Sequence, residues 1–374
     1  MRQAVVIGGG PAGAALSVLL ARAGRDVVLV ERDAGPVDKV CGEFLSREAA
    51  LYLSSLGVDL SALGAVPIDA VRLVTGSRVA TTRLPFVAVS LSRRVLDEAL
   101  LRRAAELGVT VRRGVRAQGL ARSANGWTAR LADGTAVEAR DAFVATGKHD
   151  LRGWKRPPGV QGGLVAFKLH WLLAPAQVSE LAQYVELVAF RGGYAGLQAV
   201  EGGRANLCLL VRRQRLSELG SWCDLLAAIR AESPHLHARL EGAVPCASRP
   251  LSLAAIPFGY VRRRADGVWR LGDQAAVIPS FSGDGMSIAL HSASLASATY
   301  LSGGDAETFQ GRLAQDVTRQ VRLATGLSLG LVRRPVQLAL GAAARLVPGL
   351  MAAVAGYTRV PDAALARAGL TGAA

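Results

Sequence analysis

The alternation of apolar and polar segments at the start of the chain predicts a strand, a helix and a second strand in close succession. Residues 4–7 form a β-branched run that is typical of a buried strand. A glycine-rich turn follows, and the small apolar residues over 14–23 predict a helix that Gly24 ends. Residues 26–30 predict the second strand. Strands that alternate with short helices favour an α/β fold.

The pattern further along the chain predicts more α/β segments, interrupted by a β-rich stretch. A helix is expected from residue 92 to about 107, with short strands over 109–111, 115–121, 127–131, 135–139 and 141–146. Longer strands are expected over 163–171, 184–190, 194–199 and 204–211, followed by helix and loop over 217–242. A strand over 268–271 precedes a loop and helix over 281–300. The last fifty residues predict apolar helices interrupted by Pro335, Pro348 and Pro361.

The turn after the first strand carries a G-x-G-x-x-G motif formed by Gly8, Gly10 and Gly13, with Pro11 and Ala12 between the last two glycines. In this motif the first glycine permits a tight turn, the second lets the backbone approach a pyrophosphate, and the third lets the helix pack against the sheet. The free N–H groups at the start of the helix favour a phosphate ligand. The motif therefore predicts a Rossmann-type dinucleotide site.

An acidic residue stands where such a site needs one. Glu31 ends the second predicted strand, about 20 residues after the turn, and can accept hydrogen bonds from ribose hydroxyls. A 2′-phosphate would meet a like charge there, which argues against NADP at this site.

Composition and charge limit the classes of molecule that the protein is expected to bind. Of the 374 residues, 51% are hydrophobic and 20% are charged, so a sizeable core is available. The formal charge of +15 favours anionic partners such as phosphates, acyl carriers or acidic lipid surfaces. There is no nucleic-acid-binding motif, so no nucleic-acid partner is expected. The four cysteines have neither CxxC nor zinc spacing, which predicts a reduced cytoplasmic setting and no metal.

Three further motifs accompany the glycine turn. They are Ser92-Arg93-x-x-Leu96-Asp97, then Leu271-Gly272-Asp273-Gln274-Ala275-Ala276, and then Ser282-Gly283-Asp284-Gly285-Met286-Ser287. Together with the turn and Glu31-Arg32, they resemble the p-hydroxybenzoate-hydroxylase-like FAD superfamily over roughly residues 1–320. That superfamily includes aromatic monooxygenases, geranylgeranyl reductases and flavin-dependent halogenases.

The resemblance implies an FAD cofactor and a role for each motif. The ADP half would lie on the glycine turn with Glu31 and Arg32, while Arg93 approaches the FAD and Asp97 caps or braces its helix. Gly272 and Asp273 would hold ribityl or ribose hydroxyls. The backbone of the loop containing Gly283, Asp284, Gly285 and Met286 would meet the isoalloxazine, with the following helix N-terminus stabilising negative charge there.

Two segments qualify the resemblance. The stretch 39–46, with Cys41 and Gly42, resembles the Cys-Gly segment of geranylgeranyl-reductase-like proteins and implies a position beside the flavin. Cys41 would either pack there or act through its thiol. Thr146 stands where aromatic monooxygenases usually carry an aspartate. The way in which those enzymes use NAD(P)H therefore does not transfer directly to this chain.

These interpretations give a domain plan. An α/β, Rossmann-type FAD-binding domain is expected over 1–60, 91–155 and 266–320, with an inserted β-rich substrate domain over 61–90 and 156–265, and a helical C-terminal segment over 321–374. The strands between about 163 and 211 are expected to form the floor of an apolar substrate cavity that faces the flavin. The tail would either cover that cavity or lie at the surface of an anionic membrane, its arginines reaching the phosphates.

The favoured activity is a monooxygenase that uses NAD(P)H and O2 to hydroxylate an apolar phenolic or polyketide-type substrate. The alternative is FAD-dependent reduction of isoprenoid or other lipid double bonds. Halogenation, and a non-enzymatic flavoprotein on the membrane surface, rank lower. The substrate is expected to be small and apolar, either lipid-like or carrier-bound. Cys41, His149, His170 and His291 are weak catalytic candidates, and none is assigned.

Overall fold

Two β-sheets form the centre of the protein in a computed structural model that describes residues 1–347 and 349–370. Pro348 and residues 371–374, which belong to the predicted C-terminal segment, lie outside the described residues. The strands are β1 (Arg2–Ile7), β2 (Val27–Glu31), β3 (Phe44–Leu45), β4 (Val66–Thr75), β5 (Arg78–Ser90), β6 (Thr110–Arg113), β7 (Ala117–Ser123), β8 (Gly126–Leu131), β9 (Ala136–Val144), β10 (Leu164–Leu172), β11 (Gln183–Phe190), β12 (Gly193–Val200), β13 (Arg204–Arg212), β14 (Val244–Pro245), β15 (Leu251–Ala254) and β16 (Trp269–Arg270).

Helices flank both sheets. They are α1 (Pro11–Arg22), α2 (Arg47–Ser55), α3 (Arg93–Glu106), α4 (Pro175–Leu181), α5 (Arg213–Leu219), α6 (Trp222–Glu232), α7 (Pro234–Arg239), α8 (Gly285–Leu301), α9 (Ala306–Leu331), α10 (Arg334–Leu346), α11 (Gly349–Tyr357) and α12 (Asp362–Arg367). Short 3-10 turns cover Gly272–Gln274 and Ser280–Ser282. Helix α1 begins three residues before the predicted start at residue 14, because Pro11 suits the first helical position and Gly10 forms the N-cap.

The first sheet is the nucleotide-binding type of sheet that the opening segments predict. Its order is β6-β2-β1-β9-β8-β7, with β16 beside β9. Strand β1 is parallel to β2 and to β9, and all five residues of β2 are buried. Burial on both faces explains why these strands read as continuous apolar runs.

One strand of this sheet corrects the sequence interpretation. Residues 135–139 and 141–146 were expected to form two strands, but β9 is continuous over Ala136–Val144. Its first half pairs antiparallel with β8, and its second half pairs parallel with β1 and β16. The hydrophobic pattern changes along β9 because its neighbouring strand changes from β8 to β1 and β16, and not because the strand is broken.

The second sheet has the order β14-β10-β13-β12-β11-β4-β5-β3, with β15 beside β10. One face of β10 presents Phe167, Leu169 and Trp171 to an apolar cluster that includes residues of α6 and α7. The other face presents Lys168 and His170 to the segment before β3. The alternation of β10 thus separates a structural face from a face that looks toward the first sheet.

A buried carboxylate ties this sheet to the helices behind it. Glu186 on β11 contacts Arg239 at 3.0 Å, His235 at 2.8 Å and Arg72 at 2.9 Å. Burial favours the neutral acid, but these cationic partners outweigh it and lower the pKa of Glu186 to about 2.

The C-terminal helices cover the second sheet. Helix α10 packs on β4 and β5, and α11 packs on β5. Gly341 allows a close approach, because a Cβ there would lie 2.4 Å from Thr75 Oγ1. Among the described residues no single helix is long and apolar enough to cross a membrane, although the segments Arg334–Leu346 and Gly349–Arg367, bent by 112°, pass that test of length and composition together.

Candidate active site

The glycine turn joins β1 to α1 at the carboxyl edge of the first sheet. Gly8 has φ +109°, and a Cβ there would lie 2.4 Å from Ala145 O. A Cβ on Gly13 would lie 1.9 Å from Gly8 O, so only glycine fits the contact between helix and turn. The N-cap, Gly10, offers no side chain to the first turn of α1, which leaves N–H groups there for a ligand.

Glu31 holds this turn from the side of β2. Its carboxylate accepts a 2.6 Å hydrogen bond from Gly9 N and a 3.1 Å hydrogen bond from Asp33 N. Glu31 and the half-exposed Arg32 also line the cleft beside the turn. The acid that the sequence singled out therefore braces the glycine turn and faces the cleft as well.

The cleft is elongated and consists of two connected cavities. The wide part has a volume of about 1320 Å³, some of it open to solvent, and is lined by Glu31, Arg32 and His149. The narrow part has a volume of about 1000 Å³, also partly open to solvent, and reaches Gly42 and Gly285. Both parts share Gly10, Val40, Arg93, Ala145, Gly147, Lys148 and Asp273. An extended ligand with a phosphate-bearing centre fits this shape and places its centre at the glycine turn.

Arg93 lies where the two parts of the cleft meet. Its Nε and Nη2 donate to the two carboxylate oxygens of Asp97, both at 2.8 Å. Burial lowers the pKa of Arg93, but the charge and hydrogen bonds of Asp97 outweigh burial and raise it. The cap of α3 is Ser92, whose hydroxyl accepts from Val95 N. Asp97 therefore does not cap α3; its carboxylate instead holds the Arg93 side chain in place.

Asp273 faces the cleft from the turn after β16. Its Oδ2 lies 3.3 Å from Lys148 Nζ, and both residues line both parts of the cleft. Arg156, which the sequence analysis did not identify, donates to the backbone oxygens of Asp273 and Lys148 and pairs with Asp150 at 2.7 Å. This arginine fastens the loop after β9 to the Gly272–Gln274 turn.

The loop before α8 enters the narrow part of the cleft through Gly283, Gly285 and Met286, while the Asp284 side chain points away. Asp284 Oδ1 accepts a 2.7 Å hydrogen bond from Arg359, which also donates to Ser282 O at 2.7 Å. Burial raises the pKa of Asp284 to about 7 despite the attraction of Arg359. Arg359, expected among the membrane-facing arginines of the tail, is instead buried against this loop.

The Cys41-Gly42 segment forms the wall opposite that loop. Asn206 Nδ2 donates to the carbonyl oxygens of Cys41 at 3.0 Å and Gly42 at 2.9 Å. A Cβ on Gly42 would have no neighbour within 4 Å, so its face toward the cleft is open. Cys208, from β13, lines the same cavity, and burial raises the pKa of its thiol to about 12. Sequence reasoning missed Cys208 and Asn206, since neither belongs to a motif.

A buried carboxylate fixes this wall from behind. Glu43 has φ +61° and accepts hydrogen bonds from Arg93 N at 2.8 Å, from Lys168, and from His170 at 2.7 Å if that nitrogen carries the proton. Asp38, Glu43 and His170 present ligand atoms within 4.8 Å of one another, but the Lys168 ammonium already supplies positive charge there. A lysine and a histidine at alternate positions of an apolar strand were the sequence signal for this buried acid.

The three candidate histidines lie away from the Gly283–Gly285 end of the cleft. His149 lines only the wide part, where burial and nearby cations lower its pKa. His170 is bonded to Glu43 behind the Cys41-Gly42 wall. His291 is fully buried in α8, 2.8 Å from Tyr52 Oη and 3.0 Å from Asp316 Oδ2. Its candidacy as a catalytic residue is therefore corrected to a role in the core.

An apolar cavity of about 1220 Å³ continues from the narrow part of the cleft. The two share Gly42, Phe44, Cys208, Ser280 and Gly283. Strands β11, β12 and β13 line the apolar cavity as expected, but β4, β5 and the tail helices line it too, whereas β10 borders the narrow part through Ala166. The cavity thus lies between the second sheet and the C-terminal helices.

The glycine turn, the acid that ends β2 and the extended cleft define a dinucleotide-binding flavoprotein of the Rossmann type. The comparisons agree with this class. Residues 1–143 match the family model described as "FAD binding domain".

Relatives cover most of the chain. Menaquinone reductase of Mycobacterium tuberculosis is 28% identical over 346 residues, which are 87% of this chain and 83% of the relative. Digeranylgeranylglycerophospholipid reductase 2 of Methanopyrus kandleri is 27% identical over 76% of this chain and 73% of its own. The crystal structure of PqsL of Pseudomonas aeruginosa, described as a probable FAD-dependent monooxygenase, shares the fold with a TM-score of 0.73 and 20% identity, over 91% of this chain and 99% of its own.

The match over residues 1–143 and the shared fold agree with the resemblance to the p-hydroxybenzoate-hydroxylase-like FAD superfamily that the motifs carry. The protein is an FAD-dependent oxidoreductase with FAD as its cofactor.

Proposed function

We propose that the protein reduces carbon–carbon double bonds of an isoprenoid or similarly long apolar molecule. The observation that carries this proposal is the apolar cavity that continues from the Gly283–Gly285 end of the cleft, with few polar side chains along its walls. The relatives named as reductases of menaquinone and of a digeranylgeranyl lipid support the same substrate class. This reverses the order of the two activities that the sequence favoured.

In this proposal FAD lies along the elongated cleft. The glycine turn with Pro11 and Ala12 receives the pyrophosphate, Glu31 and Arg32 face the ADP half, and Asp273 accepts hydrogen bonds from hydroxyls of the linking chain. The open faces of Gly10, Gly42, Gly147 and Gly285 support the fit, because a Cβ on three of them would meet no protein atom within 4 Å and on Gly10 only Arg93 at 3.2 Å. The N-terminus of α8 would then face the reacting ring and stabilise negative charge on it.

The protein's own residues supply enclosure and position. Bound FAD, once reduced by NAD(P)H, would supply a hydride to the double bond, and with a proton from water the product would gain two hydrogens. Leu73, Leu187 and Val354 bound the apolar cavity and exclude water from the substrate. The Cys208 thiol lines both the cleft and the cavity at their junction, and Cys41 lines the narrow part of the cleft beside it.

Hydroxylation of a phenolic or polyketide-type substrate is the second candidate. Tyr194 Oη lies 3.5 Å from the hydroxyls of both Ser280 and Ser328, near the junction of cleft and cavity. Hydroxyl groups there could orient a phenol against the cofactor. The two activities differ in their need for O2, which makes them separable.

The test is a mass measurement under two atmospheres. The FAD-loaded protein is incubated with NADH or NADPH and either a prenyl lipid or a phenol. Reduction proceeds without O2 and adds two hydrogens, whereas hydroxylation requires O2 and adds one oxygen atom. Oxygen-dependent hydroxylation with no reduced lipid would overturn the reductase proposal.

A cavity-blocking variant links the activity to the cavity. Gly196 on β12 lines the apolar cavity, and a Cβ there would meet only Cys208 O at 3.8 Å. Gly196→Leu should therefore fill the cavity without disturbing the strand and abolish turnover of long substrates. Gly119→Leu is the matched control, because Gly119 lies on β7, away from the cavity, and a Cβ there would meet nothing within 4 Å.

A further inference from the structure

The stretch that lines the outer end of the apolar cavity has an unusual charge. Residues 317–361 contain no aspartate or glutamate and six arginines. Arg359 is bound to Asp284, but Arg322, Arg333 and Arg345 are exposed, and no ion pair is found for these three among the described residues. This end of the molecule therefore presents uncompensated positive charge to its surroundings.

Exposed apolar side chains accompany these arginines. Leu346 is 82% exposed and Val347 is 54% exposed at the end of α10, and Tyr357 is 63% exposed at the end of α11. Large apolar side chains usually occur singly on a protein surface, whereas apolar residues grouped with cations mark sites of interaction. The exposed pair at the end of α10 is the most solvent-facing part of this surface.

The opposite sides of the same helices line the apolar cavity. Leu340 and Ala344 of α10, with Leu350, Met351 and Val354 of α11, form its outer wall. The helix pair is thus apolar toward the cavity and also toward solvent. With its bend of 112° it has the composition of a membrane segment but the shape of a corner.

We propose that α10 and α11, called here the corner helices, dock on the surface of an anionic lipid bilayer. Leu346 and Val347 would enter the acyl region while Arg333 and Arg345 contact lipid phosphates. The cavity would then take up its substrate between the corner helices without passing it through water. Uptake of an isoprenoid rests on the proposed function, but docking itself rests only on the charge and the exposed apolar side chains.

Vesicle flotation tests the docking. The full-length, FAD-loaded protein is mixed with phosphatidylglycerol vesicles or with phosphatidylcholine vesicles, at low and high salt. It should float with the anionic vesicles, and high salt should release it. Removing Arg333 or Arg345 by substitution with glutamine should weaken binding about fivefold each. Failure of the wild-type protein to float with anionic vesicles at low salt would overturn the proposal.

A paired substitution locates the surface. Leu346→Glu with Val347→Glu should abolish flotation while FAD content and melting temperature stay at their wild-type values. The matched control is Leu172→Glu with Val244→Glu, an exposed pair on neighbouring strands β10 and β14, which should float normally. Equal flotation of the two double variants would also refute docking through the corner helices. So would a result in which the wild-type protein does not bind vesicles and light scattering shows that Leu346→Glu with Val347→Glu converts a dimer to a monomer, because the exposed pair would then contact a second copy of the chain.

An activity measurement separates this proposal from the proposed function. The Leu346→Glu/Val347→Glu variant should reduce a short, water-soluble prenyl analogue at the wild-type rate and lose turnover of a prenyl lipid embedded in vesicles. If the wild-type protein floats but reduces neither substrate, the reductase assignment fails while docking stands. If the wild-type protein and the Leu346→Glu/Val347→Glu variant reduce each of the two substrates at equal rates, uptake through the corner helices is wrong.

Discussion

Replacing Arg359 by methionine should destabilise the protein and loosen the loop before α8. The change removes two 2.7 Å hydrogen bonds, to Asp284 Oδ1 and Ser282 O, and leaves the fully buried Asp284 without its cation. Removing one partner of a buried ion pair costs about 3–5 kcal/mol. Burial already raises the pKa of Asp284 to about 7, so the stranded carboxyl would take up a proton at neutral pH. We therefore expect a loss near the lower end, about 3 kcal/mol.

The loss should also depend on pH. In the folded protein the pKa of Asp284 lies above its ordinary value of 3.8, so its contribution to stability falls as pH rises from about 4 toward 7. Without Arg359 this pKa rises further, and the deficit of the variant relative to wild type should grow above neutral pH.

Thermal unfolding, followed by circular dichroism and by FAD fluorescence, measures this effect. About 3 kcal/mol corresponds to a decrease in Tm of roughly 4 °C for a chain of this size. Arg345→Met is the control, because Arg345 is exposed on the neighbouring helix and should change stability by less than about 0.5 kcal/mol. Adding Asp284→Asn to Arg359→Met should remove the dependence on pH. Equal melting temperatures for Arg359→Met and Arg345→Met would refute the reasoning.

Three further outcomes are expected. Gly13→Ala places a Cβ 1.9 Å from Gly8 O, and Asp273→Ala removes an acceptor from the cleft. Both variants should therefore purify with sharply reduced FAD absorbance per protein. Full FAD occupancy in both variants would contradict the cofactor placement. His291→Leu should cost about 2–3 kcal/mol in unfolding experiments, since two buried partners lose their hydrogen bonds, while kcat of the folded protein stays unchanged. Burial opposes ionisation of Glu186, but its cationic partners lower its pKa to about 2. The stability that Glu186 provides should therefore be complete above about pH 4.5 and should fade as pH falls toward 2. Glu186→Gln should flatten that pH dependence in acid titrations.

The residues that the sequence identified best are those whose chemistry is local. Gly13 is required because Gly8 O of the same turn leaves no room for a Cβ, and Gly8 suits the tight turn because its φ is +109°. The start of α8 at Gly285 was likewise predictable, because the loop and the helix are contiguous in the chain. Even the continuous strand β9 was found as two apolar pieces, since its residues carry the right pattern although its partners change midway.

The sequence could not reveal contacts between residues that lie far apart in the chain. Arg359 pairs with an acid 75 residues earlier, and Asn206 holds a carbonyl 165 residues earlier. No periodicity in either segment encodes such a pairing, because the first contact needs the tail to lie against the loop before α8 and the second needs β13 to lie against the Cys41-Gly42 segment. The packing of α8 against α2 and α9 likewise buries His291, which then bonds to Tyr52 and Asp316 in the core.

The sequence by itself determined that the chain binds a dinucleotide, because the glycine turn and the helix after it are contiguous in the chain and the acid ends the next strand. The tertiary structure alone decided where the cleft ends and what it opens into. Strands β4, β5 and β11 to β13 meet the tail helices around the apolar cavity, and an enclosed volume is a property of surfaces brought together from distant parts of the chain. The choice between the two flavin activities changed for this physical reason.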